Sequence, residues 1–475
     1  MGLSPLVTAV AGGDRYIAEV MSVSLFDLLV DPAVIGFRQA AVADAAANRE
    51  ALTELYRLTG AAIEDLRHHI FYSLGRLSPE QYMTRSLSVV RALVDRLREL
   101  ARWSEAVRTG FASPAFVGFL DACGELLTDE RLHDVDEHLH EVSFDHGVLL
   151  SARLGIGNRG TDYVAVKRAG KGLLDRVFAD HGQSFQIAPR DVAGSRILGE
   201  LRGRGVRETA GTLADAADTM ERFFRVLQWE AAFYLGAARL REVLESLGSA
   251  CMPVAEPLGT ATFAADGLYD ASLALTHGLP VVPSSVDAGT ERLVVISGAN
   301  QGGKSTFLRA VGQAQLMMQA GLPVAAESFH ADVRSAVFTH FKREEDRAMV
   351  SGKLDEEMAR MSRILDEIRP ASMVLFNESF ASTNESEGSD IAEGIIGGLL
   401  ESGHRVFFVT HMFELARRFY DSDPAAARAA CFLRPQRRAD GTRTFRLTPA
   451  EPEPTSYAHD LYRQIFAEPL SPQGV

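Results

Sequence analysis

Three short stretches in the second half of the chain carry residue types whose spacing could do chemistry on a polyphosphate. The first is Gly298-Ala-Asn-Gln-Gly-Gly303-Lys304-Ser305, which fits the pattern G-x-x-x-x-G-K-[ST]. An apolar run, RLVVIS, precedes it, and a helix-forming run, TFLRAVGQAQLMM, follows it. Strand, glycine turn and helix in that order let backbone amides and a helix N-terminus surround phosphates. In this P-loop reading Gly298, Asn300, Gly302, Gly303, Lys304, Ser305 and Thr306 bind ATP. Lys304 reaches the β- and γ-phosphates and Ser305 ligates Mg²⁺. A glycine-rich turn with an accidental match is the competing reading, and the flanking strand and helix both speak against it.

The second stretch is Ser372-Met-Val-Leu-Phe-Asn377-Glu378, an apolar strand ending in polar residues and expected beside the P-loop strand. A strand end of this kind supplies an Asp that holds Mg²⁺ through water and a Glu that polarises the attacking water. Here Asn377 takes the first place, bringing an amide oxygen without charge, so metal retention is expected to weaken. Glu378 remains the candidate general base. The third stretch, RVFFVT, ends in Thr410-His411, and a histidine there can sense the γ-phosphate or its water. The same histidine read alone is a packed or surface residue.

The elements that must position these residues follow from periodicity. Residues from about 34 to 140 read as helices, with apolar positions recurring every three or four residues. HGVLLSARLG and DYVAVKR read as short strands around a GNRGT turn, and a long helix is predicted from about Asp215 to Leu247. GSACMPVAEPLGT gathers Gly and Pro, which places a domain boundary near 250. Beyond it strands alternate with helices, from Ser305 to about Ala320 and again over IAEGIIGGLLESG. That is the pattern of a sheet covered by helices on both faces. CFLRP and TFRLTP flank Asp440-Gly441, a hairpin turn. The organisation expected is thus a mainly helical region over 1–250, with a small β-containing segment near 146–190, and an ATPase domain over 251–475.

Composition sets bounds on partners. The 475 residues suffice for several domains, and their formal net charge is −14. Acidity confines any nucleic-acid contact to a local patch or a clamp between subunits. Arg85, Arg91, Arg96, Arg98 and Arg102 read first as a solvated helix face, with a local phosphate-facing patch as the sharper alternative. Cys123, Cys251 and Cys431 lie far apart without a CxxC pair, which suits a reducing cytoplasm. No signal peptide and no membrane-spanning run is read, and a cytoplasmic location with no membrane partner is expected. RLHDVDEHLHEV brings His133 and Glu137 to i, i+4 spacing, yet HExxH is absent and a solvated helix accounts for it.

Several of these stretches resemble the MutS family of DNA mismatch-repair ATPases. SGANQGGKSTFLR is similar to that family's P-loop, including Asn300; the run from Met358 through ILDEIRPASMVLFNES to Glu378 keeps its spacing; THMFEL matches its switch-histidine segment. FRLTP followed by Thr455-Ser456-Tyr457 resembles the segment closing its ATPase domain. Upstream, FDLLVDP with RQA resembles the start of its lever region, and AFYLGAARLREVLESLGSACMP its last helix. The resemblance implies an α/β P-loop NTPase, an ABC-type ATPase domain of the MutS kind, preceded by a mainly α-helical lever/core region. It also implies a homodimer in which each nucleotide is closed over by a serine-bearing loop of the other subunit. Met349-Val-Ser351-Gly352-Lys353 stands in that place, with Glu357-Met358 matching the family's Glu-Met pair. Ser351 and Gly352 are the residues assigned to the contact across the dimer, an ordinary loop being the alternative. Phe380-Ala-Ser382-Thr383 departs from the family's Gly-Arg-Gly-Thr, which, with Asn377, puts the hydrolysis rate in doubt.

A lever-like region beginning within the first thirty or so residues leads to the expectation of no mismatch-reading domain, a shortened clamp and no nuclease-like appendage. Two functions remain open. One is an ATPase whose dimer changes shape with nucleotide and acts on duplex or branched DNA. The other is a slow or non-hydrolysing nucleotide-gated scaffold for an unknown protein partner. An ABC- or SMC-like ATPase ranks below both, since no LSGGQ-type signature lies between the P-loop and Glu378.

Overall fold

Runs of β-branched and aromatic residues with no charge inside them become the buried strands of this chain, as their packing preferences require. The computed structural model describes all residues except 1, 72–78, 144–149, 157–159, 166–190, 299–301, 343–352, 422–429, 439–441 and 455–475. They fall into two compact units, one of residues 1–47 with 233–475 and one of residues 48–232.

The chain opens with α1 (Ser4–Ala11), α2 (Arg15–Ser24) and α3 (Pro32–Ala47). Asp14 starts α2 by accepting from the amides of Tyr16 and Ile17 at 2.9 and 3.2 Å, which satisfies two donors a helix leaves orphaned. The 48–232 unit holds α4 (Arg49–Phe71), α5 (Pro79–Val107), α6 (Pro114–Leu126), α7 (Asp129–Glu141), the antiparallel strands β1 (Leu150–Leu154) and β2 (Gly160–Ala165), and the first part of α8 (Val192–Leu247). α8 runs 56 residues and starts well before the predicted Asp215. Gly194, Gly199, Gly203, Gly205 and Gly211 hide its first half from sequence reading, each costing about 1 kcal/mol of helix propensity.

The remaining elements build two sheets. A four-stranded sheet orders β3 (Val254–Glu256), β7 (Ser328–Asp332), β4 (Phe263–Leu268) and β5 (Ser284–Gly289), with α9 (Ala271–His277) between β4 and β5 in sequence. A six-stranded sheet orders β12 (Arg443–Pro449), β11 (Ala430–Arg437), β6 (Leu293–Ser297), β10 (Arg405–Thr410), β9 (Met373–Asn377) and β8 (Val337–Phe341). Its five strands from β11 to β8 run parallel, and β12 pairs antiparallel at one edge. The helices are α10 (Lys304–Gln319), α11 (Lys353–Glu367), α12 (Glu385–Glu401) and α13 (Phe413–Tyr420).

Strand alternation decides which helices cover which face. Leu293, Val295, Val374, Phe376, Val406 and Phe408 pack with Met361 of α11, Ile396 and Leu399 of α12, and Leu415 and Phe419 of α13. Phe407 points to the opposite face, where its ring meets Phe263 of β4 with centroids 4.9 Å apart. α10 is buried almost all round, a central helix rather than a surface one. Its Gln319 donates to the carbonyl oxygens of Leu29 at 3.0 Å and Arg334 at 2.8 Å, and the Leu29 amide returns a bond to Gln319 O at 3.0 Å. This polar clamp ties the first 47 residues into the unit of the sheets. One expectation needs correcting: β10 lies between β6 and β9, so the strand ending in Asn377 is one place removed from the strand before the glycine turn.

Candidate functional site

β6, β10 and β9 are parallel neighbours in register, so their carboxyl ends line up: Ser297 pairs with Thr410, and Val409 with Asn377. In an open α/β sheet that edge is where ligands sit. Glu378 follows β9, and its amide donates to Val409 O at 2.9 Å, which holds it against the end of β10. His411 follows β10 and is exposed.

The glycine turn after β6 brings the other groups to the same edge. Gly298 and Gly303 have φ of 133° and 91°, values that favour glycine. Neither could gain a side chain cheaply: a Cβ on Gly298 would lie 2.9 Å from Pro435 Cδ, and one on Gly303 2.9 Å from the Phe445 carbonyl oxygen. The strands β11 and β12 thus press on both ends of the turn. Gly303 caps α10, whose first residue, Lys304, is 3 % exposed. Its Nζ donates to Gly298 O at 2.6 Å. Burial pulls the Lys304 pKa down, and the Glu378 charge opposes the shift. Ser305, one residue on, donates from Oγ to Asn377 Oδ1 at 2.7 Å. Gly302 is buried and Thr306 half-buried beside them. Gly298, Gly302, Gly303, Lys304, Ser305, Thr306, Asn377, Glu378 and His411 are therefore drawn to one sheet edge, whereas Asn300, Ser351 and Gly352 lie outside the described residues.

What this donor set can hold follows from its charges. A buried ammonium at a helix N-terminus, backed by a turn built on positive φ, suits an anion with several oxygens. For a divalent cation Ser305 and Asn377 offer neutral oxygens only, a weaker set than one with a carboxylate. Sequence reading missed the pocket beside the turn, whose walls include Tyr269, Val281, Val282, Phe307 and Phe445. Asp270 anchors it by accepting from the Leu273 amide at 3.0 Å, Arg309 Nε at 2.8 Å and Gln313 Nε2 at 2.9 Å. No motif marks these residues, since they come from four separate elements.

The other sequence candidates resolve quietly. Arg96 bonds Asp65 and Glu99, each at 2.8 Å; Arg98 bonds Asp95 at 2.7 Å and also Asp136; Arg91 reaches Leu139 O at 3.3 Å. Those arginines hold helices of their own unit together. His133 and Glu137 sit 3.7 Å apart on an exposed face, and no metal-binding group of His, Cys, Asp or Glu occurs among the described residues. No helix among them is long and apolar enough to cross a membrane.

Helical region, mixed sheets and glycine turn define the class to which comparison assigns the chain. Residues 30–247 match the family model of the MutS2 N-terminal domain, and residues 294–431 that of MutS domain V. Among curated proteins, the chain is 32% identical over 215 residues to the DNA mismatch repair protein MutS of Granulibacter bethesdensis, covering 45% of this chain and 22% of that one. It is 34% identical over 143 residues to Endonuclease MutS2 of Brevibacillus brevis, covering 30% and 18%, and 35% identical over 164 residues to Endonuclease MutS2 of an Anaeromyxobacter species, covering 33% and 20%. The chain belongs to the MutS family. It spans about a fifth of the length of these relatives.

Proposed function

We propose that the chain binds ATP with Mg²⁺ at the P-loop of residues 298–305, hydrolyses it, and acts on DNA as a nucleotide-switched homodimer. The observation that carries this reading is the convergence of buried Lys304, Ser305, Asn377 and Glu378 at one sheet edge. Lys304 would hold the β- and γ-phosphates. Glu378 would take a proton from water, and His411 would stand near the γ-phosphate from the end of β10. Ser305 and Asn377 would hold the Mg²⁺, which, when bound, neutralises phosphate charge. The apolar pocket beside Gly303 and Thr306 would receive the base, because a base leaving a phosphate cradle needs an apolar wall within reach. Ser351 and Gly352 would face the partner subunit's nucleotide, as the family resemblance implies. DNA is drawn from the same resemblance and from the name of the Granulibacter relative, a DNA mismatch repair protein.

A second reading is favoured by the direct Ser305–Asn377 bond and the missing carboxylate at 377. It is a slow nucleotide-gated scaffold that contacts another protein. Steady-state ATP hydrolysis of the wild type beside Lys304→Ala and Glu378→Gln, with and without duplex and branched DNA, separates the two. Turnover that both substitutions abolish and DNA alters supports the DNA-acting ATPase. Nucleotide binding with negligible turnover, indifferent to DNA, supports the scaffold.

A further inference from the structure

We propose that His340, on the edge strand β8, is a positioning residue that holds Glu378 in place through Ser379 and Phe380. The inference rests on the assignment of Glu378 as general base. Its observations are the backbone of the turn after β9 and the side chains packed behind it.

Glu378 and Phe380 both have positive φ, 53° and 64°, a region that strains a non-glycine residue. Such a backbone persists only where its surroundings over-determine it. Ser379, between the two strained residues, is fully buried, and its Oγ lies 2.7 Å from His340 Nδ1. His340 is itself fully buried, its ring stacks on Phe380 with centroids 5.4 Å apart and planes 18° apart, and its Nε2 lies 3.2 Å from the Glu357 carbonyl oxygen. Burial first, and the Arg360 charge second, push its pKa down to about 4, so the ring is neutral near pH 7. A neutral imidazole has one N–H. A carbonyl can only accept, so that proton sits on Nε2, and Nδ1 is left to accept from the Ser379 hydroxyl. The single hydroxyl proton is shared between Nδ1 and His340 O, which lies 2.8 Å away. Glu357, on the first turns of α11, is buried on the other side of the turn; burial raises its carboxyl pKa, and Ser382 and the Phe380 backbone oppose that rise.

Among the described residues assigned to nucleotide none is hydrogen-bonded to His340, yet it contacts both residues that follow Glu378. Two substitutions probe it, Ser379→Ala, which removes one oxygen, and His340→Ala, with His340→Asn as the conservative variant that keeps a group near Nδ1. We measure kcat for ATP, the Kd of a fluorescent ATP analogue, and amide hydrogen exchange of the segment 374–383. The expected result is a kcat lowered roughly ten- to a hundredfold in both alanine variants. Kd should stay within about twofold, since phosphate binding lies elsewhere. Exchange should quicken in the segment alone, and His340→Asn should recover part of kcat. Unchanged kcat and exchange, or equal losses in kcat and nucleotide affinity, overturn the proposal. If the wild type binds the analogue without turnover, the ATPase reading fails, and exchange decides alone: quickening confined to the segment supports the clamp, and none refutes it.

Discussion

At position 377 a neutral amide ends the strand beside Ser305, and its oxygen is engaged by the Ser305 hydroxyl at 2.7 Å. A cation that binds there must displace that bond and gains no charge–charge attraction in return. A charged acceptor strengthens a hydrogen bond to a cation's water by about 1–1.5 kcal/mol over a neutral one. Asn377→Asp is therefore expected to lower the half-saturating Mg²⁺ concentration for ATP hydrolysis by about tenfold, with turnover rising in step. A Mg²⁺ titration of both proteins checks this, and an unchanged titration means that charge at 377 is not what limits the metal. The sequence displayed this departure openly, because the strand, its polar end and the glycine turn are all local patterns. It could not display the Lys304 bond to Gly298 O or the clamp on Ser379, which join residues far apart in the chain or depend on a turn's φ.

Helix α12 shows how an element can shape the site without entering it. Gly388 sits where a Cβ would lie 2.4 Å from the Phe380 carbonyl oxygen, so the strained turn after β9 leans directly on this helix. Backbone cannot yield as a flexible side chain can, and Gly388→Ala should cost about 1–3 kcal/mol of stability and lower ATP turnover with it. Gly394, two turns on, has nothing within 4 Å of its Cβ position, so Gly394→Ala should stabilise by about 0.5–1 kcal/mol and leave turnover alone. Urea unfolding and ATPase assays on the two variants test the contrast, and equal effects would remove the contact as the cause. The helix itself was legible from IAEGIIGGLLESG, and the apolar strands RLVVIS, SMVLF and RVFFVT were equally plain. Strand order was not, because periodicity fixes an element and which face it buries, never its neighbour: β10 enters between β6 and β9 although it follows both in sequence. The four-stranded sheet escaped for a related reason, since β3 has only three residues and β5 alternates small and polar ones.

For the molecule as a whole, a net charge of −14 must be reconciled with a proposed contact to DNA. The arginines of α5 read in sequence as a solvated helix face or, alternatively, a phosphate-facing patch, and three of them are committed to groups of their own unit. Arg98 bridges to Asp136 of α7 and to Leu132 O at 3.3 Å, and Arg96 bridges to Asp65 of α4 at 2.8 Å. Burial is partial, and each pair is worth about 1 kcal/mol or less, but a phosphate would have to compete with carboxylates already in place. A phosphate-contacting arginine releases a counterion, so its loss lowers the salt dependence of DNA affinity by about one unit of slope. Arg96→Ala and Arg98→Ala should instead leave the slope of log affinity against log salt unchanged, while the thermal midpoint falls. Duplex binding across a salt series, with melting curves of the same samples, reads both quantities at once. A shallower slope with an unmoved midpoint would assign the patch to DNA after all. An unchanged slope with a lowered midpoint places any basic surface away from α5, among residues whose charge no carboxylate of this chain neutralises.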